Sequence, residues 1–503
     1  MKKVIQNGII VTAADTYVAD IEVDGGIITQ IGRDLPTAGA EVVDAAGCYV
    51  FPGGIDPHTH LDMPFGGTVT VDDFESGTIA AAFGGTTTVI DFCLTSKGAP
   101  LADAVQTWHD KSAGKAVIDY SFHLMVSELN DGVLEELPQI IEQEGITSLK
   151  VFMAYKNTFQ ADDGTLFKTL QVAKREGALV MVHAENGDVI EYLVEQALAA
   201  GQTDPIYHAL TRPPELEGEA TGRAVYLTEL TDSQLYVVHV TCAEAVWKIA
   251  EARKKGLRVY GETCPQYLTL DQSYLERPDF EGAKYVWSPP LREAWNQEVL
   301  WNALASGSLQ TIGSDQCSFD FKGQKELGRG DFSKIPNGGP MIEERFSMLY
   351  SEGVAKGRIT LNQFVDIIAT SSAKLFGLFP QKGTIAVGSD ADLVLFDPSV
   401  KRTISAETHH MKVDYNAFEG FEVTGEPVSV LSRGEFVVKD KVFVGRAGAG
   451  RYLRRKRFGS APTFPALAAD TADVGTTTGA TASGATTGAA ATPAQVETGG
   501  GVG

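Results

Sequence analysis

An α/β protein, a (β/α)8 barrel of the TIM type with a β-sandwich built from both chain ends, is the fold the sequence predicts. Three observations lead there. Between residues 52 and 379, short apolar runs alternate eight times with longer helix-like stretches. Residues 1–51 and 380–460 read instead as short strands and hairpins. Neither end segment is large enough to bury a sheet face alone, so the two are expected to pair beside the barrel.

The first half of the sandwich occupies residues 1–51. Residues 4–12 read as one apolar run and 21–31 as another, the second broken by Asp24-Gly25-Gly26, a hairpin signal. Residues 41–50 lead into the barrel. There the eight apolar runs end near 55–60, 89–92, 123–126, 150–152, 181–183, 238–240, 260–263 and 312–315. Helical stretches such as 188–200 and 243–255 lie between them. An open doubly wound sheet shares this alternation, but eight repeats in one block favour closure. After Phe379 the strands return, at 393–396, 428–431, 436–438 and 442–444. A basic run follows, Arg451-Tyr452-Leu453-Arg454-Arg455-Lys456-Arg457, read as a solvated segment or a subunit contact. Residues 461–503 are Ala, Thr and Gly with few large apolar residues, and are expected to be disordered.

Composition narrows the function classes. The 503 residues carry a formal net charge of −23. Such a surface repels nucleic acid backbones and acidic membranes, which points to a small-molecule partner. Five cysteines, an odd number with no CxxC spacing, argue against a disulfide framework and for a reducing cytoplasm. Lys2 and Lys3 precede apolar residues, yet Gln6, Asn7 and Gly8 interrupt the run, so a strand is expected there rather than a signal peptide.

The chemistry sits at strand ends. His58 and His60 are two apart in an extended run, so both face one centre at the C-terminal mouth of the barrel. Two neutral imidazoles there can hold a divalent cation, although HxH alone is a weak pattern. His183 closes the run 178–182, His239 closes 235–238, and Asp315 closes 309–314. One strand-end histidine is more often a hydrogen-bonded core residue. Four histidines and an aspartate at converging strand ends point to a metal site. Lys150, inside an otherwise apolar strand, leaves two readings open. Its amine is neutral and takes up carbon dioxide, forming a carbamate that bridges two metals, or it reaches the rim or pairs with a carboxylate such as Asp315.

These segments carry a resemblance. The chain resembles the dihydropyrimidinase and D-hydantoinase family of the amidohydrolase superfamily, from its N-terminus to about residue 458. The matching stretches are Gly53-Gly54-Ile55-Asp56-Pro57-His58-Thr59-His60-Leu61-Asp62-Met63-Pro64-Phe65, Ser148-Leu149-Lys150-Val151-Phe152-Met153-Ala154-Tyr155-Lys156, Val182-His183-Ala184-Glu185-Asn186, His239-Val240-Thr241, Glu262-Thr263-Cys264-Pro265-Gln266-Tyr267-Leu268 and Gly313-Ser314-Asp315.

The resemblance implies an N6-carboxylated Lys150 bridging two divalent ions, usually Zn2+. His58, His60 and Asp315 would hold the first ion, and His183 and His239 the second. It also implies a bridging hydroxide that attacks a ring carbonyl, with Tyr155 donating to the oxyanion. Asp315 would carry the proton to the leaving nitrogen. The main chain around Ser288 and Asn337 would bind the ring amide groups, and Phe65, Phe152 and Phe159 would line the pocket for the ring substituent.

The implied reaction is hydrolysis of the cyclic amide bond of 5,6-dihydropyrimidines or 5-substituted hydantoins to N-carbamoyl amino acids, as in pyrimidine catabolism, by a cytoplasmic homotetramer. Dihydroorotases carry an arginine two residues after the second histidine to meet a substrate carboxylate. Asp62 stands here and would repel that group. An allantoinase-like ureide hydrolase remains the nearest alternative. A non-catalytic assembly protein on the same fold is the other, and the intact ligand set argues against it.

Overall fold

In the computed structural model, residues 2–459 and residue 464 are described. The expectation of disorder over 461–503 falls, Phe464 apart, outside them. Eight parallel strands form the barrel: β1 (Gly54–Thr59), β2 (Thr86–Cys93), β3 (Asp119–Met125), β4 (Ser148–Phe152), β5 (Leu179–His183), β6 (Gln234–Val237), β7 (Arg258–Thr263) and β8 (Thr311–Ile312). Each pairs with its sequence neighbour in register order. The ring is completed just past β8, where Thr59 bridges to Gln316 and the His60 N–H donates to the Gln316 carbonyl at 2.8 Å. Helices cover the outside, so the strands are buried on both faces; β5 reads as a near-continuous apolar run, while β2 and β3 also bury Thr, Asp, Ser and His side chains. The connecting helices carry ordinary end signals. Asp162 caps the helix Asp163–Glu176 by accepting from the Thr165 N–H, and Gly177 ends it in a left-handed conformation.

Both chain ends meet in the β-sandwich. The seven-stranded sheet joins Tyr49–Pro52 from the N-terminal segment to Leu393–Thr403 from the C-terminal one, antiparallel, with Leu393 opposite Pro52 and Phe396 opposite Tyr49. The four-stranded sheet comes wholly from the first 44 residues. Ile5, Ile10, Ile21, Val50, Leu393 and Leu431 form the apolar cluster between the sheets.

Two expectations are corrected. Residues 4–12 are not one strand but two, Lys3–Gln6 and Ile9–Val11, which belong to different sheets. The chain crosses between them at Asn7, whose φ is 65°, and Gly8, where an added Cβ would lie 2.5 Å from Val50. Asparagine tolerates that left-handed conformation and only glycine fits the close approach. The basic run is also not simply solvated. Arg455 is buried: its Nε donates to Ser121 Oγ at 2.9 Å, and its Nη2 donates to Ser148 Oγ at 2.8 Å and to the Phe122 carbonyl. Leu453 and Arg451 hydrogen-bond the Tyr120 main chain. The run thus fastens the chain to β3 and β4, with Arg455 reaching the inward-facing Ser121 and Ser148 and lying over Phe376. Among the described residues no helix is long and apolar enough to cross a membrane, and the five cysteines are free.

Candidate active site

A cavity of about 50 Å³ opens at the C-terminal ends of the barrel strands. It is lined by all twelve side chains singled out from the sequence: His58, His60, Phe65, Lys150, Phe152, Tyr155, Phe159, His183, His239, Ser288, Asp315 and Asn337. The pleat of β1 sends His58 inward, and His60 follows just past its end, their ring centroids 5.2 Å apart. Nε2 of His58 lies 3.2 Å from Asp315 Oδ1, and Nε2 of His60 lies 3.3 Å from the same oxygen. One ligand atom from each of the three falls within 4.8 Å of the others. A second pair adjoins them. His183, at the end of β5, has Nδ1 2.9 Å from His239 Nε2, and the His58 and His239 rings are 5.4 Å apart.

Lys150 occupies the middle of β4 and is fully buried. It does not reach the rim. Its Nζ lacks a hydrogen-bond partner among the described residues and lies 5.1 Å and 5.0 Å from the ring centroids of Phe92 and Phe152. Burial drives the amine down to about 7, against the pull of Asp315 and Glu262. Burial pushes the Asp315 carboxyl up, but His58, His60 and Lys150 around it prevail and hold it at about 2. Desolvation lowers His60 to about 4, so it is neutral at physiological pH. It raises Tyr155 to about 12, which keeps the phenol a donor.

Strain gathers here. Tyr155, His239 and Asp315 have φ of 66°, 39° and 55°, a region side-chain-bearing residues rarely adopt. On the apolar side Phe65 stacks on Phe159 at 6.0 Å, and Phe152 lies 5.5 Å from Phe159. Opposite, Asn337 Nδ2 donates to Ser288 Oγ at 3.0 Å.

Several contributors escaped the sequence reading. Glu262, on β7, takes the Nδ1 proton of His58 at 2.6 Å and the hydroxyl of Tyr236 at 2.8 Å. Asp91, on β2, accepts from Thr59 Oγ1 at 2.7 Å and the Leu61 N–H at 2.9 Å, bracketing His60, and from Trp108 Nε1 at 2.8 Å. Glu185 lies 2.7 Å from His183 Nε2. For Asp91 and Glu262 the available signal was an acid inside a buried strand; Glu185, two residues past the end of β5, offered no such signal. Met63, Leu94, Trp287, Cys317 and Gly338 complete the lining.

The residues fit a metal. Imidazole and carboxylate donors suit zinc and similar divalent ions. Nε2 of His58 and His60 crowd one Asp315 oxygen, Nδ1 of His183 faces Nε2 of His239, and Nζ of Lys150 beside them is buried without a hydrogen-bond partner among the described residues, a costly arrangement unless a ligand relieves it.

Known proteins align with this chain along nearly its whole described length. Residues 49–437 match the model of the amidohydrolase family. A D-hydantoinase of Geobacillus stearothermophilus is 76% identical over 460 residues, covering 92% of this chain and 98% of that protein. A dihydropyrimidinase of Rattus norvegicus is 42% identical over 461 residues, covering 90% and 89%. The crystal structure of a dihydropyrimidinase from Brevibacillus agri superposes with a TM-score of 0.91 at 71% identity, over 91% of this chain and 99% of that one.

Proposed function

The chain belongs to the amidohydrolase family, and on that premise we propose that it opens the ring of 5-substituted hydantoins or 5,6-dihydropyrimidines by hydrolysing the cyclic amide bond, releasing N-carbamoyl amino acids. The observation that carries this reading is the convergence of five imidazole and carboxylate ligands, a buried lysine amine and a phenol on one cavity. The comparisons support the same ring class through the names of the most similar relatives.

His58, His60 and Asp315 would hold one divalent ion, and His183 and His239 a second, with zinc the expected metal. Lys150 would bridge them as its carbamate. The neutral amine would add to carbon dioxide, forming an N–C bond and releasing one proton, and would so supply a carboxylate to help hold the ions. Burial that favours the uncharged amine prepares that addition. Bound in this way, the two ions lower the pKa of water towards neutrality and supply positive charge against a developing oxyanion.

The chain's own groups would do the rest. Asp315, ionised at any working pH, accepts the proton of the attacking water and delivers it to the leaving ring nitrogen. Tyr155 keeps its proton and donates to the oxygen of the attacked carbonyl as charge gathers there. The backbone around Ser288 and Asn337 meets the ring amides, while Phe65, Phe152 and Phe159 enclose the substituent. We also place the protein in the cytoplasm, in keeping with five free cysteines, as a homotetramer.

A substrate panel tests the reading: dihydrouracil, hydantoin, 5-substituted hydantoins of each hand, allantoin and dihydroorotate, with the metal-loaded enzyme. Ring opening of hydantoins or dihydrouracil is expected. Activity confined to allantoin or dihydroorotate overturns it.

A further inference from the structure

Lys325 stands apart from the metal ligands, on the short turn Lys325–Gly328, and its side chain is fully buried. Three backbone carbonyls surround its ammonium. Nζ donates to the carbonyls of Val286 at 2.8 Å, Pro336 at 2.7 Å and Gly338 at 2.6 Å. Burial alone pulls this amine down to about 7, but three accepting carbonyls use three N–H bonds, which only the ammonium has. Taking an ammonium out of water is costly, and charge-assisted bonds offset that cost only where the acceptors stay in place.

The acceptors belong to two loops of the cavity. Val286 stands two residues before Ser288, and Pro336 and Gly338 flank Asn337. The loops also touch directly, the Gly338 N–H donating to the Val286 carbonyl at 3.0 Å. Gly338 has φ 147°, and an added Cβ would lie 2.2 Å from the Cys317 carbonyl. The Asn337 loop is thus wedged against the segment that follows Asp315, where a single β-bridge, Gln316 to Gly339, with the Cys317 N–H donating to the Gly339 carbonyl at 3.1 Å, stands in place of a longer ladder.

We infer that Lys325 is a positioning residue for substrate recognition: its ammonium ties the Ser288 and Asn337 loops into one rigid wall facing the metal ligands. The inference rests on the reading that these loops meet the ring amides. Ordering them before the substrate arrives removes a cost that binding would otherwise carry, so loss of the clamp belongs in KM rather than in kcat.

The test uses the metal-loaded, full-length enzyme and Lys325→Met. KM is expected to rise about tenfold or more while kcat changes by less than about threefold, with metal content unchanged. Lys325→Gln, which keeps two donors, is expected to recover part of the loss. A merely structural role lowers the active fraction instead, so a fall in kcat at unchanged KM overturns the inference.

Hydrogen exchange on the unmodified protein gives a readout independent of activity and of whether the variants fold. The amides of Val286 and Gly338, which donate to the Ala283 and Val286 carbonyls, are expected to exchange as slowly as those of the barrel strands, and rapid exchange there overturns the clamp. Slow exchange in an enzyme that opens no ring overturns the functional reading alone.

Discussion

Glu262 takes the Nδ1 proton of His58 at 2.6 Å, both side chains fully buried. That contact fixes the imidazole tautomer and turns Nε2 towards Asp315, 3.2 Å away. The same carboxylate receives the Tyr236 hydroxyl and the His239 N–H, at 2.8 Å and 3.3 Å. One residue on β7 thus orients a ligand from each histidine pair, and an outer carboxylate of this kind raises ligand basicity as well as aiming it.

Three donors point at Glu262, and an amide offers one acceptor oxygen and two competing donors. Glu262→Gln is therefore expected to weaken metal affinity or activity by about 10–100-fold. Metal titration beside kcat/KM at saturating metal checks this. Unchanged affinity would mean that packing alone orients His58.

Lys150→Ala removes the amine whose carbamate is proposed to join the two ions. Metal content is expected to fall below one ion per chain, with activity lost by at least about 10³-fold. A short carboxylic acid in solution is expected to restore part of both, since the small residue leaves room for it. Elemental analysis with a rescue titration decides the matter, and full metal content with full activity refutes the bridge.

Asp315→Asn keeps the size of the side chain but removes its basicity. Turnover is expected to drop by about 10²–10⁴-fold, the usual contribution of a positioned acid–base group, while the melting temperature stays close to that of the parent. Near-normal turnover would remove Asp315 as the proton carrier.

The barrel and its ligands were legible because burial on both faces keeps an apolar run in most strands, as in β5, and a histidine or aspartate at its end breaks that run. His58, His183 and Asp315 are such breaks. What stayed hidden depends on closure in three dimensions. Asp91 and Glu262 break their strands too, but their partners, Thr59 and His58, come from other strands. The split of residues 4–12 between two sheets turns on Asn7 and Gly8, and apolar periodicity carries no information about direction. Arg455 looked like its exposed neighbours Arg454 and Lys456, since a run of like charges does not tell which member is buried.

Arg455 also gives a stability prediction. Its guanidinium lies in the interior, where burial pulls it down to about 10, and it donates to Ser121, Phe122 and Ser148. Arg455→Ala leaves those acceptors unmet and opens a cavity beside β3 and β4. A loss of about 3 kcal/mol is expected, whereas Arg454→Ala on the exposed side should change stability by less than about 0.5 kcal/mol. Chemical denaturation of both variants checks the contrast, and equal effects would return the whole run to a solvated role.

Acid should undo the metal-free protein in a defined window. His60, His123, His183, His208 and His239 are buried, and desolvation lowers each below its ordinary value of 6.5, His60 to about 4. In the unfolded chain these imidazoles protonate near 6.5, while in the fold they stay neutral to lower pH. Asp91, raised by burial to about 7, and Asp56, also raised, oppose the trend, but the five imidazoles outnumber them, so the unfolded state binds more protons in between and stability rises with pH across that interval. The contribution is complete above 6.5 and is lost as pH falls towards 4. The chelated protein is expected to melt at steadily lower temperature as pH falls from about 7 to 4.5, and added zinc at neutral pH to raise the melting temperature, since the fold already presents these imidazoles neutral and the ion binds the native site. A melting temperature flat across that range would mean that these histidines do not stay neutral in the folded interior.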